Sequence, residues 1–255
     1  MLTAVFHLRP MSRGVTAPHL FTADDGGVYV VKFQTNRLGP KVLVNELLAA
    51  ELGRRWQLCF PESALIYVDP KAVGHHSSLA RFEPGLQFAS RFLPNCRYLD
   101  PVLLRKAVNK SDMAGVMLFD HFFHNVDRTR NPRNILIRRE ERGWRLYAID
   151  HSHLFYRGRW TPQSLARLET GVSVNRGRAF GDLLAHYLQP ADFTAALQRL
   201  EATTDADFRE VVNMIPREWL PGAEERELLT GWLCRRRGYA ASIAAKLCAL
   251  ISPHP

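Results

Sequence analysis

HNVDRTRNPRNILIRRE, residues 124–140, sets one carboxylate, Asp127, in a stretch with three arginines and three asparagines before the apolar run Ile135–Ile137. That run predicts a strand, so the acid stands beside a core rather than in open solvent. Phosphoryl transfer needs a carboxylate to orient or deprotonate an attacking hydroxyl. It also needs oxygen ligands for a divalent metal on the phosphates. Asp127 suits the first task, and Asn134, leading into the strand, suits the second. The segment continues as ILIRREERGWRLYAID, whose ERG centre predicts a hairpin turn, and Asp150 follows the apolar run Leu146–Ile149 as a second acid at an adjacent strand end. Arg128 or Arg130 could neutralise charge on a transferred group; the alternative for either is a solvated loop arginine.

Upstream, TAVFHL, PHLFTA, VYVVKF, SALIYV and FASRFL are short β-patterned runs punctuated by Gly, Pro or Asp-Gly. One helix interrupts them. In PKVLVNELLAAELGRRW the apolar residues recur at helical spacing, Pro40 suits a first turn and Gly53 lies near the end. VYVVKF, after the tight turn Asp24–Gly27, leaves Lys32 at a strand end, where a half-buried ammonium needs an anionic partner. Glu46, on the following helix, is the candidate, and a Lys32–Glu46 pair could hold the ammonium against phosphates. The alternative is an edge-strand lysine with a solvated glutamate. The connection MSRGVTAPHLF carries Ser12, Arg13, Gly14 and Thr16, whose backbone N–H groups and hydroxyls could cradle phosphate oxygens; an ordinary polar hairpin loop is the other reading.

The second half is mainly helical, with apolar periodicity in PVLLRKAVNKSDMAGVMLFDHFF, RAFGDLLAHYL, DFTAALQRLEATT and the tail from Glu224 to Leu250. The expected fold class is α+β, with a small β-rich lobe holding one helix over residues 1–95 and a larger, mainly helical lobe over residues 96–255. With 255 residues, 46% hydrophobic and 23% charged, the composition is that of a folded globular chain. The excess of 34 basic over 25 acidic side chains, formally +9, favours anionic partners such as nucleotides, nucleic acid or phospholipid head groups. Cys59, Cys96, Cys234 and Cys248 form no CxxC pair, which argues against a zinc knuckle or redox dithiol. No apolar stretch approaches the length of a membrane span and the start lacks an apolar signal core, so the expectation is a cytoplasmic chain.

VYVVKF, NELLAAEL, HNVDRTRNPRNILI and LYAIDHSHLF together resemble the HipA-like kinases and, more distantly, the phosphatidylinositol kinases, whose fold is a variant of the protein-kinase fold. The resemblance runs in motif order over residues 3–200 and is strongest from Asp120 to Phe155. It implies a bilobal, protein-kinase-like fold, with ATP and Mg²⁺ in a cleft between the lobes. Lys32 stands where the strand lysine does, Glu46 where its helix partner does, and Asp127 as the catalytic aspartate. Asn134 and Asp150 match the metal ligands. EPGLQFASRFLP matches the interlobe hinge, with Arg91, Phe92, Leu93 and Pro94 near the adenine. Two features depart from the protein-kinase pattern. Asp127 and Asn134 are seven positions apart where that pattern has about five, so Asn131 stands as the other candidate ligand. Position 151 is His rather than Phe, closer to the lipid-kinase and HipA side. The acceptor implied by HipA-like kinases is a Ser or Thr hydroxyl on a protein.

Two other readings stand beside this one, the first on the same segment. His121, His124, Asp127, His151 and His153 could form a His/Asp metal site, which would make the chain a metal-dependent phosphohydrolase. The runs Arg54-Arg55, Arg138-Arg139 and Arg235-Arg236-Arg237 could instead make an inactive kinase-like scaffold for nucleic acid or an acidic protein, the plain reading of each run being a solvated face.

Overall fold

The structure, a computed structural model, describes residues 1–11, 14–74, 76, 79, 82–175, 177 and 181–251, with the backbone alone at residues 129, 130, 132, 181 and 182. The strand-rich N-terminal region is a five-stranded barrel made of β1 (Leu2–Pro10), β2 (His19–Ala23), β3 (Val28–Lys32), β4 (Ser63–Val68) and β5 (Gly85–Arg91). Its order is β1-β2-β3-β5-β4, antiparallel except where it closes, at the parallel pairs Leu2↔Ile66 and Thr3↔Tyr67. The β2–β3 hairpin turns through Asp24–Gly27. Gly26 takes φ +76°, and Asp25 Oδ1 accepts the Gly27 N–H at 2.8 Å. Phe21, Val31, Ile66, Val68 and Ala89 fill the barrel interior, as period-2 alternation requires.

Helix α1 (Lys41–Arg55) leaves β3 and returns to β4. Its apolar residues, from Val42 to Leu52, belong to the core of the C-terminal helices rather than to the barrel core. The helix therefore ties the strand-rich region to the rest of the chain. Gly53 lies in its last turn, where a Cβ would stand 2.4 Å from Phe60 Cδ2, so the missing side chain serves packing. A second short helix, α2 (Pro70–Val73), follows β4; it is capped by Asp69 and adds to the one helix expected here.

The rest is mainly helical. Its three-stranded sheet, β6-β7-β8, joins β6 (Arg97–Tyr98) to the hairpin of β7 (Ile135–Glu140) and β8 (Gly143–Ala148), which turns at Glu141-Arg142 as expected. The helices are α3 (Pro101–Lys106), α4 (Asp112–Phe122), α5 (Asp127–Arg130), α6 (Pro162–Glu169), α7 (Gly181–Leu184), α8 (Pro190–Glu201), α9 (Asp205–Asn213), α10 (Ala223–Arg237) and α11 (Ala240–Ile251). The helical pattern over residues 101–123 divides at Ala107. There Asn109 exchanges hydrogen bonds with the Leu146 backbone at 3.1 and 2.8 Å, tying the extended link to β8. The tail divides at Gly238. An aromatic cluster of Trp56, Phe119, Phe122, Phe123, Phe155 and Trp232 holds α1, α4 and α10 together. Among the described residues, no helix is long and apolar enough to cross a membrane.

Candidate active site

Lys32 ends β3 and points to Glu46 on α1, with which it makes an ion pair; its Nζ also lies 2.8 Å from Asp150 Oδ1. Lys32 and Glu46 are buried, at 7% and 3% exposure. That depth settles the choice against an edge lysine and a solvated glutamate. Burial by itself would push the Lys32 ammonium down and the Asp150 carboxyl up. The opposing charges outweigh it: Asp150 and Glu46 hold Lys32 above the usual lysine range, and Lys32 holds Asp150 below the usual carboxylate range. The His151 N–H donates to Glu46 Oε1 at 3.1 Å, so Glu46 is held from two sides.

Asp150 leaves β8 in the left-handed region at φ +58°, a conformation Asp adopts more readily than most residues. Its Oδ1 accepts from Lys32 Nζ at 2.8 Å and from Ser152 Oγ at 2.6 Å. Since the Ser152 hydroxyl donates to Asp150, the contact of 2.9 Å with His153 Nδ1 places the imidazole proton on Nδ1. The following turn is pinned by buried Asn45, whose Nδ2 donates to Ser152 O and Gly158 O at 2.9 Å each. Gly158, at φ +76°, has no room for a side chain, because a Cβ would lie 2.4 Å from Ser152 O.

Asp127 opens α5, and its Oδ2 accepts from Asn134 Nδ2 at 2.7 Å. Asn134 Oδ1 in turn accepts from Asn131 Nδ2 at 3.1 Å. The side-chain Oδ1 of Asn131 caps the 3₁₀ turn Pro132–Asn134 by accepting the Arg133 N–H at 3.2 Å. Asn131 Oδ1 is thus engaged by the local backbone, while the Asn134 side chain is the one that bonds Asp127.

Arg128 is no candidate for neutralising a transferred group. It is fully buried, and its Nε donates to Asp120 Oδ2 at 2.8 Å. Its Nη1 donates to Asn134 O at 2.7 Å and Ile149 O at 2.8 Å. It therefore clamps the loop of Asp127 to the end of β8, just before Asp150. The side chain of Arg130 lies outside the described residues. So do Ser12 and Arg13, while Gly14, at φ +117°, and buried Thr16 face the cleft.

A cavity of about 830 Å³ is lined by Lys32, Glu46, Asp127, Asn134 and Asp150 together with Gly14, Thr16, Arg91, Phe92 and Leu93. That volume is in the range of small-molecule sites. The Arg91 guanidinium is engaged outward, with Tyr29 OH at 2.9 Å and Asp25 at 3.4 Å. The Phe92 N–H donates to Val28 O at 2.9 Å.

The histidines do not gather into a metal site. His121 bonds the Met117 carbonyl at 2.7 Å, His124 bonds the Leu168 carbonyl at 2.7 Å, and His151 packs on Phe60 with ring centroids 4.0 Å apart. Among the described residues no three His, Cys, Asp or Glu side chains form a metal-binding group. The arginine runs are solvated faces only in part: Arg54, Arg139 and Arg235 are exposed, whereas others in the runs are engaged by the chain itself. Arg236 is fully buried and donates to the carbonyls of Phe122, Glu169 and His121. Arg235 pairs with Glu169, Arg237 with Asp205, and Arg55 with Asp207 and Glu210. Burial pushes the Cys59 thiol up to about 12 and the Cys96 thiol to about 11, so neither is a reactive thiolate at neutral pH.

Sequence reasoning missed Asn45, Ser152, Asp120 and Asn125, whose Nδ2 donates to Asp120 Oδ1 at 2.8 Å; these position the site from behind. A polar pair, Asn45-Glu46, inside an otherwise apolar helix was the available signal.

The sequence matches the family of HipA-like kinases over residues 5–232. The chain belongs to that family. No curated protein matches it. Among solved structures it resembles the proinflammatory kinase CtkA of Helicobacter pylori, with TM-score 0.61, 13% identity and 97% of each chain covered. It also resembles the Golgi casein kinase with manganese and ADP bound, with TM-score 0.53 and 11% identity over 98% of this chain and 74% of that one. A third likeness is to HipA of Shewanella oneidensis, solved with HipB and operator DNA, with TM-score 0.50 and 12% identity over 96% of this chain and 67% of that one. The protein is a kinase-like phosphotransferase with a mixed α+β fold.

Proposed function

We propose that this HipA-like kinase transfers the γ-phosphoryl group of Mg²⁺-bound ATP to a Ser or Thr hydroxyl on a protein. Residues 1–95 form the nucleotide-binding lobe and residues 96–255 the lobe that carries the catalytic and metal-binding groups. The observation that carries this reading is the Lys32 ammonium set between Glu46 and Asp150 in the cleft that also presents Asp127 and Asn134.

The donor set fits a hard divalent cation. Asp150 Oδ2 and Asn134 Oδ1 are oxygens, and Asp150 Oδ2 accepts no hydrogen bond among the described residues, because Lys32 and Ser152 all use Oδ1. Asn134 and Asp150 would hold Mg²⁺, which neutralises phosphate charge. Lys32, fixed by Glu46, orients the phosphates. Gly14 and Thr16 line the phosphate side, and Arg91 to Leu93 the adenine side. Asp127 accepts a hydrogen bond from the acceptor hydroxyl. The hydroxyl oxygen forms a bond to the γ-phosphorus, the bond from that phosphorus to the β–γ bridging oxygen breaks, ADP departs, and the hydroxyl proton passes through Asp127 to solvent. Positioning and electrostatics supply most of the rate.

The test is titration with Mg·ATP followed by intact-mass spectrometry of the purified chain, alone and with Ser- and Thr-containing peptides. Nucleotide binding with added phosphate is the expected result. Binding without any transfer would leave an inactive scaffold, and no binding would remove the reading altogether.

A further inference from the structure

Two guanidinium groups stand on the wall of the cleft. Arg97 lies on β6, and Arg133 lies in the 3₁₀ turn between Asp127 and Asn134; both are exposed and both line the cavity. Neither makes an ion pair among the described residues. Other arginines without an ion pair among the described residues, such as Arg9, Arg105 and Arg199, do not line this cavity, and Arg91, which does, is paired with Asp25. The pair is also held in place. The Arg133 N–H is bonded to Asn131 Oδ1 at 3.2 Å, and its guanidinium carbon lies 5.8 Å from the Tyr98 ring centre. Tyr98 follows Arg97 on β6 and pairs with Leu136 of β7, so one short strand and one turn set both positive charges on the same rim.

The nucleotide gives them no role, because Lys32 and the proposed metal ligands already serve its phosphates. We propose that Arg97 and Arg133 recognise carboxylate side chains flanking the acceptor hydroxyl, so that the acceptor is an acidic protein segment. This rests on the phosphotransferase reading and adds its substrate class. A guanidinium fork matches a carboxylate with two parallel hydrogen bonds, and unpaired positive charge in a cleft attracts acidic segments and repels basic ones. A nucleic acid is the poorer fit. In the arginine runs that would follow its backbone, Arg55, Arg138, Arg235 and Arg237 are tied to the chain's own acids and Arg236 to its carbonyls, and Tyr98, the exposed aromatic on this rim, lies under Arg133 instead of open to a base.

Fluorescence anisotropy with the whole chain and two labelled peptides, one with a serine flanked by glutamates and its twin flanked by lysines, tests the assignment. The glutamate peptide should bind about tenfold more tightly at low salt, with the preference shrinking as salt rises. R97E/R133E should invert the preference, and R97Q or R133Q alone should shrink it. The readout is a ratio within one variant, so a general loss of function does not imitate it. Equal affinity for the twins overturns the proposal, as does a ratio unchanged in R97E/R133E. Displacement of the glutamate peptide by a tighter-binding single-stranded RNA overturns it too. Phosphate transfer to the same peptides is followed in parallel: a kept binding preference with no transfer counts against the phosphotransferase reading alone, while transfer without preference counts against the acidic acceptor alone.

Discussion

Lys32 Nζ reaches Asp150 Oδ1 at 2.8 Å across 118 residues of chain, and Glu46 meets the same ammonium from α1. One positive charge therefore faces two negative ones, and the group keeps a net negative charge that a divalent cation would offset. Lys32→Met would leave two carboxylates confronting each other without their shared cation. The variant should bind Mg·ATP at least about tenfold more weakly and turn over about a hundredfold more slowly. Isothermal titration and initial rates check this; an unchanged dissociation constant together with unchanged turnover would return Lys32 to a structural role.

Asp150→Ala removes the carboxylate whose Oδ2 is open, while Lys32 keeps Glu46 as its partner. Nucleotide affinity measured without metal should change little, and the gain in affinity on adding Mg²⁺ should largely disappear. A magnesium dependence equal to that of the unaltered chain would take Asp150 out of the metal site.

Asp127→Asn keeps the size of the side chain but removes its basicity. The fold and nucleotide binding should survive, since the side chain's partners are Asn134 at 2.7 Å and His153 at 3.9 Å, both at the cleft surface. Turnover should fall by about 10²–10⁴. Retention of most of the transfer rate would assign the hydroxyl to another group.

The placement of these side chains was partly legible from pattern alone. Lys32 closes an alternating strand, Glu46 breaks an apolar helix, and Asp127, Asn134 and Asp150 stand at the edges of apolar runs, so each sits where an element ends and a cleft can begin. The barrel's closure was not legible: parallel pairing of Leu2 with Ile66 joins segments with no local signal between them. Nor was the fate of Arg128 or Arg236. Each looks like its solvated neighbours in sequence, and only the packed structure brings Asp120 to one and three backbone carbonyls to the other. The helix break at Ala107 was hidden for the same reason, because Asn109 finds its partner on β8.

The Asp120–Arg128 pair, with neither side chain exposed, carries a stability prediction. Asp120→Ala strands a buried guanidinium and should cost about 3–5 kcal/mol, a fall in Tm of roughly 10 °C. Arg128→Met in the same chain removes the stranded charge. The double variant should then be less destabilised than the sum of the two single changes, by at least about 1 kcal/mol. Thermal denaturation of the four proteins measures the coupling, and simple additivity would mean that the two charges do not support each other. Because Arg128 also holds the carbonyls of Asn134 and Ile149, phosphate transfer should fall in both single variants.

The barrel carries a separate dependence on pH. His7 Nε2 and His19 Nδ1 lie 2.8 Å apart in the interior, with the His76 ring 4.5 Å from that of His7. Burial, and then the neighbouring His7 and His76, lower His19 from 6.5 to about 4. A histidine depressed in this way binds its proton more readily unfolded than folded. Its contribution is therefore fully present above pH 6.5 and is lost as pH falls from 6.5 through about 4. Allowing for partial solvent screening, the loss over that window should be roughly 1–2 kcal/mol. Urea midpoints at pH 7.5 and 5 should differ in the unaltered chain and differ less in His19→Gln, with His7→Gln as a second variant. Equal midpoints at the two pH values in the unaltered chain would show that the imidazole pair is already open to solvent and protonates without resisting.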